Sequence, residues 1–378
     1  MKIGIFTLWQ GLNYGGVLQN YALQKVLKDM GHDVYTIDRT FFVSSFFRIL
    51  SFLKRNFQHY ILRKDVPTMF YVGFTKKEFL YVCKNTRDFI TKYNTTTFNI
   101  KSNKKLYLLR QYKFDAYIVG SDQVWLKTHA PYSFLSFIEK DENVKRVAYA
   151  ASFGRNNWTY NKKLTDKCRT LIKKFNSISV REKAAVELCK KYLGSEAEWV
   201  LDPTLLLDCK DYIHLIEQKE NLEVDKNILM TYILDNDTYK KDLINFLCNK
   251  LNLTEYDLKC KFASQREEKS LCGMQLPSIS QWLRGFYNAK FVITDSYHGT
   301  IMAIIFNKQF LTISNHKRGQ ERFLSLLSLL GLEYRLIDFD VDYTNYLNSL
   351  PNIDYNRIND ILKREKVKSY NFLSESLK

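Results

Sequence analysis

No run in this sequence approaches the roughly 18 consecutive apolar residues of a transmembrane helix, so none is expected. The opening segment, MKIGIFTLWQG, lacks the long apolar stretch and cleavage site of a signal peptide and reads as a strand and turn, which favours a cytoplasmic chain. None of the 7 cysteines forms a CxxC pair and their number is odd, as expected for isolated thiols in a reducing compartment. No GxGxxG fingerprint occurs, which argues against a nicotinamide site. His129, His214 and His316 stand apart and no cluster has metal-ligand spacing, so neither a metal nor a cofactor is expected. Low-complexity segments and sequence repeats are also missing. Acidic residues are scarce relative to basic ones, 40 against 57, for a formal net charge of +17. That excess favours an anionic partner: a phosphorylated small molecule, a membrane face or nucleic acid. Lysines are spread through the chain without a zinc-finger or basic-zipper pattern, so nucleic acid is not expected.

What the chain has is length, apolar content and alternation. Its 378 residues, 46% hydrophobic, can bury a substantial core and suggest two domains. Ile3–Thr7 reads as a strand, Val17–Met30 as a helix of apolar spacing and Asp33–Ile37 as a second strand, a βαβ opening that implies a parallel sheet. Further strands are expected at Ala116–Val119, Arg146–Ala150, Ser177–Val180 and Glu198–Leu201. The pattern restarts at Asn227–Leu234 and continues through Tyr256–Lys259, Lys290–Ile293 and Gln309–Ile313. The expected organisation is an N-terminal α/β domain over 1–215, with an aromatic and basic insertion around 40–110, and a C-terminal α/β domain over 225–350. A helix over 355–378 could pack back on the first domain. Phe41–Phe57, FFVSSFFRILSFLKRNF, reads either as a helix packed on its domain or as an interfacial helix in contact with lipid.

Polar residues gather where strands are expected to end. Ligands of open α/β sheets bind at those ends, and helix N-termini attract phosphate. TDSYHG at 294–299 puts Asp295 and His298 at such a corner, with Asp295 as an orienter of His298. Histidine titrates near neutrality and can donate a proton or contact phosphate. Arg322 could add a second positive charge. Arg181 follows the ISV strand and could grip a phosphate or carboxylate bidentately, or simply pair with Glu182. In VGSDQVW (119–125), Ser121 and Asp122 sit at the sheet edge. Asp122 could cap a helix or hold and deprotonate a sugar hydroxyl. In QGLNYGG (10–16), Asn13, Gly15 and Gly16 let the backbone turn inward toward a ligand or make a tight turn only. These corners point to an enzyme handling an anionic substrate.

Taken together, GLNYGGVLQNYAL (11–23), VGSDQVW (119–125), SVREK (179–183), LDPTLLL (201–207) and TDSYHGTIMAIIF (294–306) resemble the polysaccharide pyruvyl transferase family. The resemblance spans roughly residues 1–330, with Arg322 at about the family's spacing. It implies two doubly wound Rossmann-like domains, GT-B-like, with the active site in the interdomain cleft. It also implies phosphoenolpyruvate as donor and two hydroxyls of a surface-glycan sugar as acceptor; a lipid-linked oligosaccharide at the inner membrane face is an acceptor that would also account for the basic charge. Arg181 and His298 match the family's residues for donor binding and catalysis. On this reading His298 is the acid, Asp295 its orienter and Asp122 the acceptor-side base. Arg181, Arg322 and the 298–301 backbone, including Gly299 and Thr300, bind the donor. Asn13, Gly15, Gly16, Gln19, Ser121, Gln123 and Trp125 line the cleft or the acceptor site. Tyr297 stands where the family commonly has Phe, and region 40–110 carries no family motif. Two rival readings are a nucleotide-sugar-dependent GT-B glycosyltransferase and a non-enzymatic basic module for a membrane surface or nucleic acid.

Overall fold

The structure is a computed structural model that describes residues 1–40, 45–58, 75–138, 143–216, 227–235, 237–258, 274–315, 319–339 and 341–378. The first half holds β1 (Lys2–Phe6), α1 (Tyr14–Asp29), β2 (Asp33–Thr36), α2 (Ser45–Asn56), α3 (Lys76–Val82) and α4 (Lys84–Tyr93). It continues with β3 (Ala116–Val119), β4 (Lys145–Ala151), α5 (Lys162–Ile172), β5 (Ser177–Val180), α6 (Lys183–Leu188), β6 (Glu198–Trp199) and α7 (Cys209–Ile213). The second half runs β7 (Ile228–Tyr232), α8 (Thr238–Leu251), β8 (Thr254–Asp257), α9 (Ile279–Asn288), β9 (Phe291–Thr294), α10 (Tyr297–Ile305) and β10 (Gln309–Ile313). It closes with α11 (Glu321–Leu330), β11 (Leu336–Ile337), α12 (Tyr343–Asn348) and α13 (Tyr355–Leu377). The start of the Phe41–Phe57 segment, Cys260, Cys272 and His316 lie outside the described residues.

Two parallel sheets result. The first has the order β2-β1-β3-β4-β5-β6 and the second β11-β10-β9-β7-β8. The inner strands, such as β3 and β9, are buried throughout, so their side chains alternate between two apolar layers rather than between core and water. Ile3 and Ile5 of β1 and Ala116 and Ile118 of β3 face one core, while Phe6, Tyr117 and Val119 face another. In the second sheet Met230 and Val292 turn to the shared core, and Leu229 and Ile293 turn away from it. That shared core runs without a break from β1 and α1 through Trp282 and Ile301 to the second sheet.

The two halves are locked together at several points. Tyr14 stacks on Trp282 at 5.3 Å, and its hydroxyl donates to the Pro277 carbonyl at 2.8 Å. The Leu276 N–H donates to the Val82 carbonyl at 2.9 Å. Gly319, at φ +91, lies so close to Gly154 that a Cβ would stand 2.0 Å from the Gly154 carbonyl oxygen. The long α13 belongs by sequence to the second half yet packs on the first. The Leu201 N–H donates to Ser369 Oγ at 3.1 Å, and Phe372 lies against Tyr149.

Strand order decides where a site can form. Chain order reverses between β1 and β3 in the first sheet and between β7 and β9 in the second. At such points the connections diverge to opposite faces and open a crevice at the strands' carboxyl ends. The two crevices face each other.

Candidate active site

A cavity of about 460 Å³ lies where the two crevices meet. From the first sheet it is lined by Leu8, Leu12 and Asn13 after β1, Asp122, Gln123 and Leu126 after β3, and Gly154 and Arg155 after β4. From the second it takes Tyr232, Leu234 and Asp235 after β7, Asp295–His298 after β9, and Arg322 on α11. A volume of several hundred Å³ with converging polar groups is ordinary for a small-molecule site.

His298 sits in the first turn of α10. Ser296 caps that helix, its Oγ accepting from Gly299 N–H at 3.4 Å and its carbonyl from Thr300 N–H at 2.9 Å. The amides of Tyr297 and His298 remain at the positive end of the helix dipole. The His298 side chain packs against the first turn of α1, where a Cβ on Gly15 would stand 2.0 Å from His298 Nδ1. Only glycine fits there. The close approach that Gly15 permits is therefore to the histidine and not to a ligand. Asn13 fixes the same turn, its Oδ1 accepting from Gly15 and Gly16 N–H at 3.0 and 3.3 Å.

Beneath His298 is a buried charge cluster. Asp202 Oδ2 lies 3.7 Å from His298 Nε2 and accepts from Arg181 Nη1 at 2.8 Å and from Ser121 Oγ at 2.9 Å. Its other oxygen accepts from Thr204 N–H and Oγ1 at 3.0 and 2.7 Å. Burial opposes its charge, but His298, Arg181 and Thr204 hold the carboxyl well below the usual carboxylate range. Asp202 is therefore ionised and faces the imidazole. Arg181 also pairs with Glu182 at 3.2 Å, and its Nη2 is 3.9 Å from Asp122 Oδ1. Burial disfavours its charge too, yet Glu182, Tyr297, Asp202 and Asp122 outweigh that and keep it firmly protonated. The Tyr297 ring lies between two guanidiniums, with Arg181 at 4.6 Å and Arg322 at 5.6 Å from its centroid. Such contacts hold planar cations in place.

Asp122 adopts φ 76, a strained geometry for a non-glycine residue. Its carbonyl accepts from Ser152 N–H at 3.2 Å, which fixes the loop and turns the carboxylate toward the cavity and the start of α1. On the opposite wall Asp295 is held by four donors. Leu234 and Asp235 N–H donate at 2.6 and 3.1 Å, Lys240 Nζ at 2.8 Å and Asn315 Nδ2 at 3.4 Å.

Of the residues expected from sequence, Asn13, Asp122, Gln123, Asp295, His298 and Arg322 line the cavity. Others do not reach it. Trp125 is fully buried and stacked on Phe134 at 5.0 Å, a core residue. Gln19 is buried and donates to Thr7 Oγ1 and to the Gly16 carbonyl, tying α1 to β1. Ser121 is consumed by Asp202 and Arg181. Gly299 packs against the Thr294 hydroxyl, and Thr300 Oγ1 bonds within the fold to Ser296 and Thr312, so neither offers a donor contact through these groups. Gly16 does not line the cavity either. Asp295 does not orient His298; its oxygens are taken by the β7 loop and Lys240, and Asp202 is the carboxylate beside the histidine. Arg181 does not line the cavity, its Nε and Nη1 bound to Glu182 and Asp202 and its buried Nη2 without a hydrogen-bond partner among the described residues, and Arg322 and Arg155 are the arginines on the wall.

Sequence reading missed Asp202, Arg155 and Asp235 as site residues. Asp202 stood inside a quoted motif and ends an expected strand, a signal that could have marked it. Arg155 follows the Ser152–Gly154 corner directly. Nothing in the sequence distinguished Asp235. Among the described residues no group of three or more His, Cys, Asp or Glu could hold a metal ion.

Two facing Rossmann-like sheets with a cavity between their switch points define a GT-B fold. The UDP-GlcNAc 2-epimerase from Neisseria meningitidis, solved bound to UDP-GlcNAc, superposes with a TM-score of 0.51 at 9% identity, covering 98% of this chain and 99% of that one. A glycosyltransferase from Rickettsia africae aligns with a TM-score of 0.49 at 11% identity over 98% and 93% of the two chains. The chain belongs to the polysaccharide pyruvyl transferase family, whose model matches residues 13–317. It is thus a member of an enzyme family. No curated protein matches it.

Proposed function

We propose that this enzyme moves the enolpyruvyl group of phosphoenolpyruvate onto two hydroxyls of one sugar in a surface polysaccharide or its lipid-linked precursor. The observation that carries this reading is His298, which faces an ionised Asp202 in a cavity that also contains Arg155 and Arg322. A donor with both a phosphate and a carboxylate needs two cationic contacts, and the two arginines can supply them. The free amides at the head of α10 add a third anion-binding element.

The reaction follows from that arrangement. His298 delivers a proton to the methylene carbon of the donor, and positive charge develops at the carbon bearing the phosphate ester oxygen. One sugar hydroxyl adds there and gives its proton to Asp122. The second hydroxyl of the same sugar then forms the second C–O bond as the ester C–O bond breaks and inorganic phosphate departs. One hydroxyl proton replaces that given by His298 and the other leaves with phosphate, so the step balances without metal or cofactor. Asp202 stabilises the imidazolium and holds its ring in place. Arg181 acts from behind the wall, by holding Asp202 and Tyr297.

The test is phosphate release from phosphoenolpyruvate with galactose-, glucose- and N-acetylmannosamine-containing acceptors, each analysed by mass spectrometry. The expected result is release with one acceptor class and a mass gain on it of one pyruvate less one water. Sugar transfer from a nucleotide sugar, with no phosphate release from phosphoenolpyruvate, would overturn the reading.

A further inference from the structure

We propose that α2 lays its outer face on an anionic membrane surface. Ile49, Leu50, Leu53 and Phe57, the last directly after the helix, are 59, 48, 57 and 54% exposed. At 3.6 residues per turn all four fall within about a third of the helix circumference. Ser51, Phe52 and Arg55, on the other side, are half-buried, as is Asn56 at the edge beside Ile49, so the helix has an inner face and an outer apolar one. A contiguous apolar stripe on a soluble surface marks a place where something binds.

Charge identifies what covers it. Between Asp38 and Asp65 the chain has no acidic residue, while Arg48, Lys54, Arg55, Arg63 and Lys64 fall within that stretch. Lys54 is exposed and borders the stripe on the helix. The whole chain carries +17. An apolar stripe bordered by Lys54, in a stretch of sequence that holds basic and no acidic residues, suits a helix lying in the plane of a bilayer rich in anionic headgroups. No helix among the described residues is long and apolar enough to cross a membrane. The inference stands apart from the reaction, because it needs no turnover to test.

The experiment is flotation of the intact protein with vesicles of pure phosphatidylcholine and of phosphatidylcholine mixed with phosphatidylglycerol. Binding is expected to the anionic vesicles only, weakening as salt rises. The double variant Leu50→Glu/Leu53→Glu should lose about tenfold or more in vesicle affinity, and Lys54→Glu roughly fivefold. Leu251→Glu, an exposed apolar site in the second half of the chain, should bind as the parent does. Sedimentation velocity on the same proteins detects a second copy as the occupant. Failure of the parent to bind anionic vesicles, an equal loss in Leu251→Glu, or a dimer that the double variant dissolves would each overturn the proposal.

Discussion

Each sheet ends in a buried ion pair beside the cavity, and the two pairs are built to opposite ends. In the first, Arg181 and Asp202 are 2.8 Å apart, and Asp202 keeps one oxygen directed toward His298 at 3.7 Å. In the second, Lys240 and Asp295 are also 2.8 Å apart, but Asp295 spends its remaining capacity on the amides of Leu234 and Asp235. The first pair projects charge onto a side chain that can react. The second shapes a loop. Burial, pairing and a full set of four donors are common to both carboxylates and so do not mark a catalytic one; the titratable side chain beside Asp202 does.

Substitutions can break or sharpen that contrast, ranked here by expected effect on turnover. His298→Ala should cost about a hundredfold or more in rate with its circular dichroism unchanged, as for loss of a general acid. Retention of a tenth of the parent rate would remove the histidine from that role. Asp202→Asn should follow, with a rate loss on the order of tenfold to a hundredfold and about 1–3 kcal/mol of stability, because Arg181 loses its 2.8 Å partner but keeps Glu182. This variant also tests the sign of a pH effect. Because the folded Asp202 carboxyl lies below its unfolded value, it adds stability that is complete above about pH 4 and is lost as pH falls through the folded value. Acid titration of unfolding should be correspondingly flatter in Asp202→Asn.

Gly15→Ala should push the imidazole from its seat, lowering rate about tenfold and stability by about 1–3 kcal/mol. Kinetics equal to the parent's would show that the ring has room to move. Asp295→Asn is the counterpart of Asp202→Asn and should behave differently. It takes one carboxylate from Lys240, which keeps Asp237 at 3.5 Å and the Asp235 carbonyl, and costs about 1–3 kcal/mol in thermal unfolding, yet changes turnover only a few-fold at temperatures where the fold persists. Equal rate losses in the two variants would erase the distinction between the clusters.

The same contrast shows what the sequence could reveal. Strand and helix alternation made both parallel sheets legible, and strands such as Ala116–Val119 and Gln309–Ile313 fall where the pattern puts them. The two-residue strand Leu336–Ile337 carries too little periodicity to be seen. In the site, His298 and Asp122 were visible because a strand-to-helix corner concentrates polar residues. The partnership within the site was not. Asp295 is three residues from His298 in sequence, but the corner turns its carboxylate toward β7, while Asp202 arrives beside the histidine from β6 through tertiary packing. Arg181 at a strand end read as a ligand grip or a partner of Glu182, and sequence does not show that Asp202 and Asp122 also surround it. Trp125, beside Asp122 in the chain, read as a cleft residue and is core because the loop turns it inward.

The most direct test is calorimetric titration of phosphoenolpyruvate into the parent enzyme and into Arg322→Ala. Saturable binding to the parent, weakened about tenfold or more in Arg322→Ala, is the result this account predicts. No binding of phosphoenolpyruvate to the parent, with saturable binding of a nucleotide sugar in its place, would contradict it.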